Sequence, residues 1–353
     1  MTTRRNFISC LLSFGVLIIL ILTFFPMAAS AQPLEKEGWP KKIVIGVVGG
    51  ETSASYPWLS GLGKMIEKYL GVSVNLTSTS GHDSTNLLYR GQLHIIFPGA
   101  QSVADMLRGL GPTKAWGPTP ARAWLQTQLV GVDFIVLDKS GIKTFADLEG
   151  KIVCIGPRAA PTSDFVMNAL SAAYGFDLKK VRIVKWDRPT EAYDGLKANR
   201  FDAIQVQGIH PLASNTELFL SSPGRILEID DVHMAKIRKQ LLWTINDIIP
   251  AGTYKGMSKD VQTLAVPMFL ITHRDLPESF VYAMTKMVWE HFDEFSAYHP
   301  ATKRFKASDV TKIVDLCPYH KGAIKYYREA GVWTKDLDKR QDAILASLPE
   351  SVR

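Results

Sequence analysis

The sequence lacks the short motifs that mark the common classes of enzyme. It contains no Gly-x-Ser-x-Gly elbow, no Walker phosphate loop, no Gly-x-Gly-x-x-Gly after a strand, no His-Glu-x-x-His and no Cys-x-x-Cys. Its eight histidines are dispersed along the chain. These absences disfavour an enzyme, and we expect no catalytic residue, no bound metal and no cofactor.

Cysteine is scarce, with three residues in a chain of 353. Cys154 lies inside an apolar run, and Cys317 precedes a proline far along the chain. A disulfide between them would have to join distant elements, so we predict two buried free thiols. A position within a strand also argues against Cys154 as a nucleophile.

The chain also lacks any cluster of like charge. The net charge is +7, but the basic residues are scattered and form no stripe with interleaved aromatics. Nucleic acid is therefore disfavoured as a partner. With 46% apolar and 21% charged residues the composition is globular, and the length favours two lobes.

One long apolar run stands at the N-terminus. Arg4 and Arg5 precede residues 11–25, and Pro26 and a small-residue site ending at Ala31 follow. This pattern predicts a signal peptide, residues 1–31, cleaved after Ala31, and hence a periplasmic protein. The general and twin-arginine export routes both stay open. An uncleaved anchor is the alternative, although the run is short for about 30 Å of hydrocarbon.

Residues 42–109 have the pattern strand, loop, helix repeated three times. Apolar runs at 43–48, 72–76 and 93–97 each lead into a loop rich in hydroxyl or glycine residues. Ligands bind beyond the carboxyl ends of the strands in an open parallel sheet. We therefore expect these loops to form one wall of a small-molecule site.

Two later apolar segments, 126–137 and 262–271, are too long for average strands. We interpret them as two crossings between lobes, with lobe I formed by 41–128 and 268–353 and lobe II by 129–267. The predicted fold is α/β, with two doubly wound lobes joined by two long hinge strands. Such lobes can close on a ligand as a clamshell.

Candidate binding residues lie in the loops at this expected cleft. Hydroxyl groups at helix starts accompany free backbone N–H groups that favour an anion, although for any single one of them N-capping is the better explanation. Arg158 could clamp a carboxylate bidentately, with Arg188 as second choice. Trp58, at helical spacing, is predicted to be core. The predicted ligand-binding residues are Thr52, Ser53, Ser55, Tyr56, Ser80, His82, Asp83, Ser84, Gln101, Arg158, Thr162, Ser163, Trp186, Gln207 and Tyr254.

Several strings resemble one known family, in order and spacing, over nearly the whole mature chain. Together they resemble the TAXI group of TRAP-transporter solute-binding proteins. The strings are Ile43-Val44-Ile45-Gly46, Tyr56-Pro57, Gly81-x-x-x-x-Asn86-Leu87-Leu88, Gln101, Phe145-Ala146-Asp147-Leu148, Phe201-Asp202-Ala203, Gly208-Ile209-His210-Pro211, residues 249–256 and residues 320–333.

The resemblance implies a periplasmic receptor with the type II periplasmic-binding-protein clamshell. Such a receptor captures a small organic anion, glutamate, glutamine or a C4 to C5 dicarboxylate in known members, and passes it to TRAP-type membrane permease subunits. We expect a monomer. The pocket loops depart from the family pattern, since residues 52–56, 81–86 and 158–163 replace its glycine-rich strings. This departure puts a glutamate-like ligand in doubt.

Three alternatives share this fold. A receptor for an ATP-driven (ABC) importer is the nearest, and a sensory ligand-binding module is the next. An enzyme on the same two-lobed scaffold would need His82 or Asp83 to act chemically, and a polar residue near a helix start is the simpler interpretation of His82.

Overall fold

A computed structural model describes residues 36–53, 55–156, 158, 162–298 and 313–353. The predicted signal peptide lies outside the described residues, as do the side chains of Thr52 and His82. In the described part of the chain, every helix is too short or too polar to cross a bilayer.

Within the described residues the chain forms nine β-strands and eleven α-helices, so the predicted α/β class is confirmed. The strands are β1 (Lys42–Val48), β2 (Ser73–Thr79), β3 (Ala121–Leu137), β4 (Ile152–Ile155), β5 (Arg182–Lys185), β6 (Ala203–Gly208), β7 (Gly224–Ile226), β8 (Ile245–Ile249) and β9 (Val261–His273). The helices are α1 (Tyr56–Met65), α2 (Gly81–Tyr89), α3 (Ala100–Arg108), α4 (Thr162–Tyr174), α5 (Pro189–Lys197), α6 (Ala213–Ser221), α7 (Asp231–Gln240), α8 (Glu278–Glu290), α9 (Phe292–Ala297), α10 (Lys321–Glu329) and α11 (Lys335–Ala346).

The strand–helix repeat at the start of the chain is largely as predicted. β1 and β2 pair in parallel, and α1 continues as a π-helical turn until Gly71, which has the left-handed conformation that commonly ends a helix. The predicted third strand, 93–97, is wrong as a full strand. Ile95 bridges Ile45 of β1, and the next residue, Ile96, bridges Ile271 of β9. Because the segment changes partner between these two residues, it forms no continuous strand.

β3 and β9 pair antiparallel along most of their length, and each has different neighbours at its two ends. The first half of β3 bridges Tyr319, and its second half pairs with β6 and β7. The first half of β9 pairs with β8, while Ile271 near its end bridges Ile96. Both segments predicted to cross between lobes lie in these strands, and the lobe boundaries themselves remain a prediction.

The larger sheet has seven strands in the described chain, with the order β5-β4-β6-β3-β9-β8 and β7 beside β3. β4 pairs in parallel with β5 and β6, as expected for strand–helix units. The sequence interpretation missed α6, α11 and β8. β8 is an edge strand with polar Asn246 and Asp247, so its apolar signal is weak.

The core explains several aromatic residues. Trp58 is 2% exposed and meets Phe97 and Phe295 edge to face, as its helical spacing predicts. Cys154 and Cys317 are both buried and free, which confirms the prediction of two unpaired thiols. Burial raises the pKa of both thiols, that of Cys154 to about 11 and that of Cys317 to about 12.

Candidate functional site

The starts of three helices and the end of β1 surround a cavity of about 450 Å³. The cavity lies where the sequence predicts a binding wall, beyond the carboxyl end of β1. β3, β9 and the loop after β6 complete its lining. The lining residues are Val48, Ser55, Trp58, Gly81, Ser84, Phe97, Pro98, Gly99, Ser102, Gln128, Ile209 and Met268.

Ser55 and Ser84 are the predicted site residues that line this cavity. The hydroxyls of Ser53 and Ser55 lie 3.1 Å apart just before α1. Ser84 is 3% exposed, and its hydroxyl donates to the Gly81 carbonyl at 2.9 Å. Tyr56 packs against the core beside them, and Thr52 ends a short 3₁₀ turn after β1.

Ser80 and Asp83 form a cap for α2. The Asp83 backbone N–H donates to the Ser80 hydroxyl at 3.0 Å, and that hydroxyl donates to the Asp83 carboxylate at 2.7 Å. Both side chains are exposed and neither lines the cavity. Ser80 and Asp83 therefore cap the start of α2, which is a common role for these residue types.

Four predicted site residues, Gln101, Thr162, Ser163 and Gln207, form a polar network around the loop after β4. The Thr162 hydroxyl donates to the Gln101 side-chain oxygen at 2.9 Å, which links α4 to α3. The buried Ser163 hydroxyl lies 2.6 Å from the Gly156 carbonyl and 2.7 Å from the Gln205 side-chain oxygen. The Gln207 amide donates to Ser163 at 3.3 Å.

The structure does not bring the remaining candidates to the cavity. Arg158 is exposed and pairs with Asp187 at 3.1 Å, and Arg188 pairs with Glu191. Trp186 and Tyr254 are 6% and 2% exposed and belong to the core of the larger sheet. Their positions at loop edges could not distinguish inward packing from display in a cleft.

Sequence reasoning missed Ser102, Gln128, Ile209 and Met268. Gln128 reaches the cavity because a register shift between β3 and β9 leaves Thr127 unpaired between Gln126 and Gln128. The available signal was a polar residue in the mostly apolar segment 126–137. Ser102 lies in the first turn of α3, which begins directly after the Pro98-Gly99 turn, and the sequence interpretation did not place the start of this helix.

The cavity is electrically neutral in its described lining, which contains no Asp, Glu, Lys, Arg or His. Its polar groups are serine hydroxyls, one amide and backbone N–H groups at helix starts. No group of three or more His, Cys, Asp and Glu side chains that could hold a metal occurs in the described part of the chain. The described lining can therefore bind and orient a solute by hydrogen bonds and apolar contact.

Beside Ile209, a buried polar cluster joins the loop after β6 to β3. His210 Nε2 lies 3.3 Å from the Asp133 carboxylate, and Nδ1 lies 2.9 Å from the Tyr254 hydroxyl. Asn215 donates to the other Asp133 oxygen at 3.5 Å. Asp133 is fully buried and His210 is 2% exposed, so this cluster supports the cavity wall from behind.

A family model described as the NMT1-like family matches residues 47–331. Among solved structures, the chain is similar to the periplasmic aliphatic sulphonate binding protein SsuA of Escherichia coli, with 14% identity, a TM-score of 0.44, and 85% of this chain and 92% of that chain covered. It is also similar to the alkanesulfonate-binding protein SsuA of Xanthomonas axonopodis pv. citri, bound to MOPS, with 15% identity and a TM-score of 0.37. This match covers 88% of this chain and 85% of that chain. A third similar structure is an ABC uptake transporter substrate binding protein of Streptococcus pneumoniae with bound histidine. Its identity is 13% and its TM-score 0.39, and the match covers 72% of this chain and 91% of that chain. All three are distant likenesses, with TM-scores below 0.5.

Proposed function

The chain belongs to the NMT1-like family, and we propose that it is an extracytoplasmic solute receptor that captures a small organic anion and delivers it to a membrane importer. The observation that carries this proposal is the cavity of about 450 Å³ at the starts of α1, α2 and α3. Its volume lies within the range of small-molecule sites. Its mixture of apolar walls and a few hydrogen-bonding groups is typical of small-molecule binding sites.

The proposal assigns binding without chemistry. The polar lining offers serine hydroxyls and the Gln128 amide, and the buried His210 lies behind the wall. A serine nucleophile would need a base within hydrogen-bond reach. Instead, Ser84 donates to a carbonyl and Ser55 shares a hydrogen bond with Ser53. We therefore propose no catalytic role for these residues.

We consider two alternative membrane partners for the receptor. The residue strings resemble the TAXI group and predict a TRAP-type symporter, and the family match does not test that subgroup. The structure from Streptococcus pneumoniae carries the name of an ABC uptake transporter protein, and an ATP-driven importer is the partner we set beside the symporter. Both partners require an exported receptor, and we propose the periplasm as its location after removal of residues 1–31.

Energy coupling distinguishes the two partners. Labelled solute and purified receptor would be added to membrane vesicles from the native cell. Uptake that survives an ionophore and requires ATP supports the ABC-type partner. Uptake that stops when the ion gradient collapses supports the TRAP-type partner.

A thermal-shift screen tests the receptor itself. Small carboxylates, sulfonates, amino acids, sugars and organic cations are each added to the purified protein. A ligand at 100 times its dissociation constant stabilises the native state by about 2.7 kcal/mol. We expect the shifts among small anions, and a screen in which only sugars or cations raise Tm contradicts the proposal.

A further inference from the structure

We propose that a second cavity, at the start of β3, binds a small monocarboxylate on the buried guanidinium of Arg122. This cavity is separate from the solute cavity, because the two share no lining residue. The inference therefore goes beyond the proposed receptor function and does not depend on it.

The second cavity has a volume of about 550 Å³ and lies where β3 begins, β9 ends and α10 begins. Three cationic side chains line it, those of Arg122, Arg274 and Lys321. Two carboxylates, those of Asp275 and Glu278, line it as well. Charged groups of both signs thus meet around one space, in contrast to the neutral lining of the solute cavity.

Arg122 is the charged group of this lining that is almost completely buried. It is 6% exposed, and its guanidinium donates to the carbonyl oxygens of Ala121 at 2.9 Å and Val352 at 2.8 Å. No carboxylate in the described part of the chain forms an ion pair with it, and burial lowers its pKa. Because a guanidinium has five N–H donors, the remaining ones can still donate to a ligand. A buried charge is rarely left without an opposite charge beside it.

The other two cations of the lining already have carboxylate partners. Arg274 pairs with Asp275 at 3.4 Å, and Lys321 pairs with Glu278 at 3.3 Å. These four side chains are between 37% and 69% exposed, so water also stabilises their charges. Arg122 is therefore the unmatched positive charge of the cavity.

A monocarboxylate balances that single charge. His320, which also lines the cavity, adds none near pH 7, because burial lowers its pKa to about 4. A carboxylate can accept two hydrogen bonds from one guanidinium. Leu276 and Ile324 give the cavity apolar surface, so a short alkyl chain fits beside the carboxylate better than a second charge.

Fluorine NMR with trifluoroacetate tests this inference on the purified protein. The probe is a small monocarboxylate, and the broadening of its signal during a protein titration gives the dissociation constant. Trifluoroethanol carries the same fluorinated group without a charge and is the matched probe control.

Two variants change the charge of the lining in opposite directions. Lys321→Gln removes a cation and Glu278→Gln removes a carboxylate, and their side chains are 69% and 42% exposed. The control is Lys68→Gln, which breaks a similar exposed ion pair with Glu294 at 3.0 Å, at residues that do not line the cavity. Arg122→Lys keeps the buried charge and removes the bidentate donor.

We expect trifluoroacetate to bind and trifluoroethanol not to bind. Lys321→Gln should weaken trifluoroacetate binding by about threefold and Glu278→Gln should strengthen it by about threefold, while Lys68→Gln leaves it unchanged. Arg122→Lys should weaken it by about tenfold, because lysine cannot hold a carboxylate bidentately.

A protein that does not bind trifluoroacetate would overturn the second site. Binding that neither the Lys321 nor the Glu278 variant changes would overturn it too, because the probe would then occupy another part of the molecule. These two variants decide the question even if Arg122→Lys does not fold. Each of these results leaves the receptor function standing, since that function rests on the other cavity.

Discussion

Asp133 has a fully buried carboxylate on β3, and its partners come from three separate segments. His210 lies 3.3 Å from one oxygen, Asn215 donates to the other, and the Thr263 hydroxyl of β9 lies 3.5 Å away. A buried carboxylate is tolerated only where such partners replace water. Asp133 therefore ties the loop that carries Ile209 to the long strands.

Replacing Asp133 with alanine should lower the free energy of unfolding by about 3 kcal/mol, because its buried partners lose their acceptor. Urea denaturation measures the change. The control is Asp187→Ala, which breaks the ion pair with Arg158, whose side chains are 61% and 63% exposed. That change should cost less than about 1 kcal/mol. Equal losses for the two variants would be inconsistent with a structural role for the buried cluster.

At the residue scale, two of the predicted hydroxyl residues, Ser55 and Ser84, line the cavity, whereas the charged and aromatic candidates do not. Ser55 and Ser84 follow strand ends, and a local pattern is enough to place them. Predicting where the side chains of Arg158, Trp186 and Tyr254 lie required knowledge of their tertiary neighbours. Arg158, which follows β4, pairs with Asp187, which follows the neighbouring strand β5. Trp186 packs against Gly156, where any β-carbon would lie 2.7 Å from its ring.

Among the elements, the start of α10 depends on a buried histidine. His320 accepts from the Gly322 N–H at 3.1 Å through Nδ1, and its Nε2 donates to the Arg274 carbonyl at 3.0 Å. Only the neutral ring can make both hydrogen bonds. Burial is the main cause that lowers the pKa of His320 from 6.5 to about 4.

This lowered pKa predicts how stability depends on pH. Between pH 6.5 and about 4 the unfolded chain binds the proton and the folded chain does not, so the free energy of unfolding falls as the pH falls. The contribution is complete above pH 6.5, and about 2 kcal/mol of it is lost between pH 7 and 5.

Urea denaturation at these two pH values compares the protein with His320→Asn, in which the amide can still cap the helix. The variant should lose less stability on acidification than the unchanged protein. Identical losses would show that His320 is not the titrating group. His94 and His273, whose pKa values burial also lowers, are present in both proteins and cancel in the comparison.

The predictability of the elements follows the strength of their local pattern. β1, α1 and β3 have continuous apolar or helical spacing, and the sequence placed them within a few residues. Residues 93–97 read as a strand because they are apolar, but their pairing is divided between Ile45 and Ile271. Partner choice of this kind is set by the tertiary structure and leaves no local signal.

At the scale of the whole molecule, two long strands and the side-chain hydrogen bond between Thr162 and Gln101 help to connect the parts that frame the cavity. β9, which pairs with β3, bridges Ile96 and Gly99 in the segment that follows the first sheet. The Thr162–Gln101 bond joins α4 to α3. If residues 129–267 form a separate lobe as the sequence predicts, this bond crosses the cleft and belongs to its closed form. The long strands are then the hinge.

Thr162→Val tests that view, because it keeps the side-chain shape and removes the hydroxyl. We expect ligand affinity to fall by about fivefold, with little change in the stability of the free protein. Calorimetric titration and urea denaturation give the two values. Thr216→Val, which removes a bond to the Leu212 carbonyl at the start of α6, is the control and should leave affinity unchanged. Loss of stability without loss of affinity would assign the Thr162 bond to the fold alone.

A crystal structure with the tightest-binding anion of the screen tests the central claim most directly. We predict the anion in the cavity lined by Trp58, Ser102 and Gln128. The described chain offers a second cavity of about 550 Å³, lined by Arg122, Arg274 and Lys321 among others. An anion bound there, with the first cavity empty, would contradict the assignment of the solute site to the helix starts.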